Sequence, residues 1–198
     1  MLIRMVVMAA ALGLACALPA DPARAAAAPP QDEEISREVY TGALIVTGGP
    51  QSGRTATFKL VLTGRTGRQQ VQRYASLLRT QGQSALLTQL EDRDVGTFSV
   101  EGQPARTVNF AYMQDGPRGR KLLVLFERWL RVSEIRGAMR SQSYPFTYLE
   151  LNLDDQGRGS GSYIGAAKVY FRRDDPDTLT VENFGTQPFR VVNVVRDR

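Results

Sequence analysis

Glu150 and Glu182 are the side chains whose type best suits acid–base chemistry here, because the 198 residues include no histidine and one cysteine, Cys16. Without imidazole, and with that thiol in an N-terminal segment expected to be removed, three common devices are missing. These are the usual general base near neutral pH, the usual metal ligand and the usual sulfur nucleophile. Two carboxylates can hydrolyse a glycosidic bond when they flank it and one has a raised pKa. Both glutamates fall at outward positions of expected strands, where pairing across to Lys or Arg is the common use of such a side chain. A carboxylate-dependent, glycosidase-like hydrolase is therefore the alternative expectation. Lys168 has no S-x-x-K partner, and Ser162 lies six residues away, so Ser–Lys catalysis is not expected.

Three further runs read as turns. Gly48-Gly49-Pro50-Gln51-Ser52-Gly53-Arg54-Thr55 differs from a Walker loop only by Arg54 at the lysine position. A Walker loop must open a helix whose amides cradle phosphate, and an alternating strand pattern follows here instead. Asp154-Asp155-Gln156-Gly157 and Asp174-Asp175-Pro176-Asp177 offer oxygen ligands, but neither has the spacing of a calcium loop with a closing glutamate. Asp, Gly and Pro are ordinary turn residues. No metal site and no cofactor are expected.

The aromatic and basic residues suggest binding. Phe146, Tyr148, Tyr163 and Tyr170 fall on expected strands, and Trp129 sits between Arg128 and Arg131 in an irregular apolar segment. Trp129, Arg131, Phe146 and Tyr148 form the expected ligand-binding set, near a cavity or sheet face around residues 128–148. Such a surface can stack on sugars or attract anionic envelope polymers. The lead expectation is thus a non-enzymatic binding or envelope-associated domain. A closed barrel would make the ligand a small apolar molecule held inside.

These residues must be positioned by a mainly β chain. Val39–Thr47 and Thr55–Thr63 read as a hairpin, the second strand placing Ala56, Phe58, Leu60 and Leu62 on one face. Thr66 and Gln69 have capping-box spacing, and Val71, Tyr74, Ala75 and Leu78 make a helical stripe. Gly82 fits a helix stop, and Ser84 begins a second helical piece with Leu87 and Leu90. Strands are expected again at Gly96–Val100, Arg106–Met113 (Val108, Phe110 and Tyr112 on one face) and Lys121–Glu127, whose apolar run reads as buried on both faces. After Pro145, Thr147, Leu149, Leu151 and Leu153 are expected inward, with Phe146, Tyr148, Glu150 and Asn152 outward. Three more strands follow near 161–172, 178–184 and 188–196. The fold expected is an antiparallel β-sandwich or β-barrel with a small two-helix insertion at about residues 66–91.

The N-terminus reads as a secretory signal: Arg4, an apolar run from Met5 to Leu18, then Ala23-Arg24-Ala25 as the cleavage site. Residues 1–25 are expected to be removed near Ala25, 26–37 to form a flexible leader, and 38–198 to form one β-rich domain in the periplasm or outside the cell. The apolar run is shorter than a membrane span, so no transmembrane segment is expected in the mature chain. Nucleic acid is not an expected partner in that compartment. The net charge of +5 comes almost wholly from arginine, with lysine only at 59, 121 and 168. The run from Tyr144 to Asp154, then Gly157 to Gly161, Ala166-Ala167-Lys168-Val169 and Leu179 to Pro188, resembles a group of exported bacterial proteins of unknown function. Asp94-Val95-Gly96 fits as well. The resemblance covers most of 38–196; it implies the domain limits and carries no activity or catalytic residues.

Overall fold

Strand β1 (Glu33–Ile45) pairs antiparallel with β2 (Thr55–Arg65), as the alternation in the second strand requires. Phe58, Leu60 and Leu62 are buried while Thr57, Lys59 and Thr63 face solvent. The Walker-like run is the hairpin turn: the Val46 amide donates to the Arg54 carbonyl, and the Gly53 amide to the Val46 carbonyl. Gly49 and Gly53 take φ of 75° and 87° there, which glycine adopts without a steric penalty. β1 begins at Glu33, inside the stretch expected as a leader, because Glu33 and Glu34 lie opposite Arg65 and Gly64. The structure, a computed structural model, describes residues 32–116, 119–128, 143–172, 174–175, 178–185 and 187–197.

Helix α1 (Arg68–Glu91) is two helical pieces joined at Gly82, whose φ of 82° and ψ of −170° break the helix where the sequence places a stop. Val71, Tyr74, Ala75 and Leu78 are buried, and Leu86 and Leu90 continue the stripe. The expected capping box is not formed. Gly67 holds the cap position, and Thr66 turns towards the sheet, where its Oγ1 accepts the Ala111 amide at 3.3 Å. The Thr66 amide in turn donates to the Ala111 carbonyl at 2.6 Å.

The remaining strands are β3 (Gly96–Val100), β4 (Arg106–Val108), β5 (Phe110–Gly116), β6 (Gly119–Glu127), β7 (Phe146–Leu153), β8 (Arg158–Phe171), β9 (Leu179–Asn183) and β10 (Phe189–Asp197). All pair antiparallel in the order β4-β3-β2-β1-β10-β8-β7-β6-β5, with β9 added to β8. The sheet does not close into a barrel, since the order runs from β4 to β5 and these two do not pair with each other. It folds back on itself in the manner of a sandwich, so that Phe98 of β3 meets Phe126 of β6 at a ring distance of 5.2 Å.

Asn109 separates β4 from β5 and reverses the facing of side chains. Its amide N–H donates to the Leu125 carbonyl, its Nδ2 to the Arg93 carbonyl at 2.9 Å, and its Oδ1 accepts the Glu127 amide at 3.3 Å. Val108 therefore packs into the core between the two halves of the sheet, and Phe110 packs beneath the helix. The expectation that both share one face fails because the strand is interrupted between them.

Two apolar cores result. The inner one collects Tyr40, Phe58, Leu60, Leu62, Phe98 and Phe126 with residues of β7 and β10. The other lies between α1 and the opposite face of β5 to β9. β6 serves both: Leu122, Val124 and Phe126 face inward, and Leu123 and Leu125 face the helix. Phe146 and Tyr148, expected outward, are 0% and 3% exposed because α1 covers their side of β7. Among the described residues, no helix is long and apolar enough to cross a membrane.

Candidate functional site

The two glutamates are not brought together. Glu150 lies opposite Ser162 of β8, and Glu182 of β9 lies opposite Lys168 of the same strand. Six residues of extended chain separate those positions by roughly 20 Å, against about 5–9.5 Å for a glycosidase pair. Their faces also differ. Glu150 shares the helix side with Tyr148, whereas Glu182 adjoins Val181, which packs against the helix-side core, and so points the other way.

Each carboxylate is already engaged. Glu150 Oε2 accepts the Tyr148 hydroxyl at 2.6 Å, and Oε1 accepts Asn152 Nδ2 and faces Lys121 Nζ, both at 3.2 Å. Partial burial pushes the Glu150 carboxyl up, but the bonds from Tyr148, Lys121 and Asn152 outweigh it and hold the group below its ordinary value. A general acid needs the opposite shift. Glu182 accepts the hydroxyls of Tyr170, at 2.8 Å, and of Tyr144, whose ring carries Lys168 Nζ 4.6 Å from its centroid.

Of the expected ligand-binding set, Phe146 and Tyr148 are core residues, and Trp129 and Arg131 lie outside the described residues. In the first acidic turn Asp154 Oδ1 accepts the amides of Gln156 and Arg158 at 2.9 and 2.8 Å; in the second, Asp174 Oδ2 accepts Arg172 Nη2 at 2.7 Å, and Asp177 lies outside the described residues. Among the described residues, no group of acidic side chains is arranged to hold a metal ion.

The structure instead assembles a site at one end of the inner core. Phe189 of β10 lies directly opposite Tyr163 of β8, and the two rings stack at 5.6 Å and 26°. Tyr163 stacks in turn on Phe98 at 5.8 Å and 19°, and Phe98 touches Phe58 at 5.7 Å. The innermost rings are buried, while Tyr163 and Phe189 are half-buried and open into a cleft of ≈ 590 Å³. Leu44 and Val100 line its apolar side, and Gln51, Arg54, Glu101 and Gln103 stand on the rim. Burial raises the Tyr163 hydroxyl above its ordinary value, against the opposing pull of Arg106 and a hydrogen bond with Thr147. The Arg106 guanidinium lies 5.1 Å from the Phe126 centroid in the same aromatic group.

No protein family, curated protein or solved structure matches this chain. The site therefore stands on its own geometry. Tyr163 is the one residue of the cleft that sequence alone marks as a strand aromatic open to binding. Phe189, Arg54 and Gln103 carry no local signal, because they meet through the β1–β2 turn, the β3–β4 connection and the β8–β10 register.

The opposite end of the inner core holds Glu38, 6% exposed, with the Tyr40 hydroxyl at 2.9 Å, Arg65 Nη2 at 2.7 Å and Arg196 Nη2 at 2.8 Å. This cluster fixes three strands and presents no free carboxylate. Burial, followed by the Glu38 charge and hydrogen bond, pushes the Tyr40 hydroxyl up to about 12 from 10.0. The folded state thus keeps a proton that the unfolded chain releases near pH 10. The stabilisation is complete below about pH 10 and is lost as the pH rises through about 12, about 3 kcal/mol in all for this group. Urea midpoints measured from pH 9 to 12 should fall steeply, and Tyr40→Phe should flatten that fall. Equal slopes for the two proteins would contradict this assignment.

Proposed function

We propose that this is an exported, non-enzymatic binding domain whose ligand sits in the cleft over Tyr163 and Phe189. The observation that carries the reading is the aromatic stack ending in an open, polar-rimmed cleft. Half-buried rings next to amides and charged groups are costly to leave hydrated and well suited to a ligand with one apolar face. The inner core supports a ligand at the mouth rather than deep inside, since Tyr40, Phe98, Phe126 and Leu60 fill it. Against catalysis stand the separation of Glu150 from Glu182 and the hydrogen bonds that already occupy each. Export is supported by Arg4, the apolar run and Ala23-Arg24-Ala25; intact mass of protein recovered from the cell envelope should match a chain starting at Ala26.

The binding test is a nuclear magnetic resonance titration of soluble fragments spanning sugars, aryl acids and short acyl acids. Amides of residues 44–56, 100–103, 163 and 189 should shift with at least one class, and Phe189→Ala should weaken that binding about tenfold. Binders that all map to other surfaces, or none at all, would overturn the site.

A further inference from the structure

Resting on that reading, we propose that the cleft takes a carboxylate-bearing sugar, its ring lying on Tyr163 and Phe189 and its carboxylate meeting Arg54. A pyranose has an apolar C–H face bordered by hydroxyls that both donate and accept. The cleft supplies the complement: two rings, with Gln51, Thr55, Glu101 and Gln103 around them. Amide and hydroxyl groups can donate and accept. An aliphatic chain laid there would strip water from these side chains and return no hydrogen bonds.

The lining holds one cation and one anion, Arg54 and Glu101, and the ligand's carboxylate is assigned to the cation. Glu101 Oε2 accepts the Thr57 hydroxyl at 2.7 Å, which ties the carboxylate to the neighbouring strand. Arg54 is exposed, and no carboxylate lies within ion-pair distance of it among the described residues. Its backbone is held by the turn: its amide donates to the Gln51 carbonyl at 3.1 Å, and its carbonyl accepts the Val46 amide at 2.9 Å. A planar guanidinium carried on a backbone position fixed by the turn fits a carboxylate with paired hydrogen bonds. Removal of residues 1–25 takes away Arg4, Arg24 and Asp21, so the chain that would meet the ligand carries +4.

The experiment uses digalacturonate as the acidic sugar, lactose as the neutral one and benzoate as a flat anion without hydroxyls. Digalacturonate should shift the amides of the cleft at low-millimolar concentration and bind more tightly than either comparison compound. Arg54→Gln should weaken it roughly tenfold to a hundredfold, while Arg79→Gln, the same charge change on an exposed turn of α1, should leave it unchanged. Rising salt should weaken digalacturonate binding and spare lactose. No binding of digalacturonate, equal binding of lactose, tighter binding of benzoate, or an Arg54→Gln protein that binds as before would each overturn the acidic-sugar assignment. Lactose or benzoate shifting the amides of the cleft would then leave the binding reading standing. Shifts confined to other surfaces would remove both.

Discussion

Gly161→Ala should unfold this domain or bring it close to unfolding, with a loss of about 3 kcal/mol or more. A methyl group at Gly161 would overlap the Glu150 carbonyl oxygen and stand 3.1 Å from Leu151 Cα. At Gly159 it would overlap the Asn152 carbonyl oxygen and stand 3.2 Å from Leu153 Cα. The obstacle in each case is backbone of β7, which cannot rotate away as a side chain tip could. β7 is also held on its other edge by β6 over eight residue pairs, from Arg120–Leu153 to Glu127–Phe146. Relief would have to break ladder hydrogen bonds or shift a buried strand, and overpacking of that kind costs about 1–3 kcal/mol even where side chains can adjust. With a total stability of about 5–15 kcal/mol for a domain, the loss is a large fraction.

Gly165→Ala is the matching control on the same strand. Its nearest neighbour would be a Tyr163 ring carbon at 3.8 Å, an ordinary contact, so the change should stay within about 0.5 kcal/mol. Urea midpoints for the three proteins decide the matter. A Gly161→Ala protein as stable as Gly165→Ala would mean that β7 and β8 are not packed this closely.

The glycines show where sequence reading reaches its limit. The strand expected from about residue 161 begins at Arg158, directly after the turn at Gly157, and close approach between two strands leaves no trace in the local pattern. Period was the dependable signal elsewhere. Phe58, Leu60 and Leu62 alternate in a half-exposed strand, and Val71, Tyr74, Ala75 and Leu78 repeat at helical spacing; both stripes are buried as their spacing implies. The run Leu122 to Phe126, apolar on both faces, correctly implied a strand covered twice. The same logic failed one strand later. Phe146, Tyr148, Glu150 and Asn152 look like a solvent face because half of them are polar, yet α1 lies over the first two and leaves Glu150 at its margin. Nothing in residues 146–153 records where a helix 55 or more residues upstream will dock. The candidate cleft was illegible for a related reason. Register places Phe189 against Tyr163, and the β1–β2 turn brings Arg54 near both; strand order is a property of the whole chain.

Glu38→Ala should cost about 3–5 kcal/mol, and the size of the effect separates an integrated ion cluster from a surface pair. Glu38 is buried, its side chain 7% exposed, and it receives Arg65 through both oxygens at 2.7 Å, with Arg196 and the Tyr40 hydroxyl completing the set. Removing the carboxylate leaves Arg65, 18% exposed, facing Tyr40 with no counter-charge. An uncompensated charge at such depth is what makes half of a buried pair so costly to delete. Arg196 is 37% exposed and can turn to water, so its share is small. Glu38→Ala combined with Arg65→Ala should therefore be less damaging than the two single losses added together, with a coupling of about 1–3 kcal/mol. The cluster also joins β1 to β2 and β10 beside the irregularity between Glu34 and Glu38, so amides of Val39 to Thr41 should exchange with solvent faster in Glu38→Ala. A loss below about 1 kcal/mol, additive with Arg65→Ala, would show that water already screens these charges and that packing alone sets the register of the first strand.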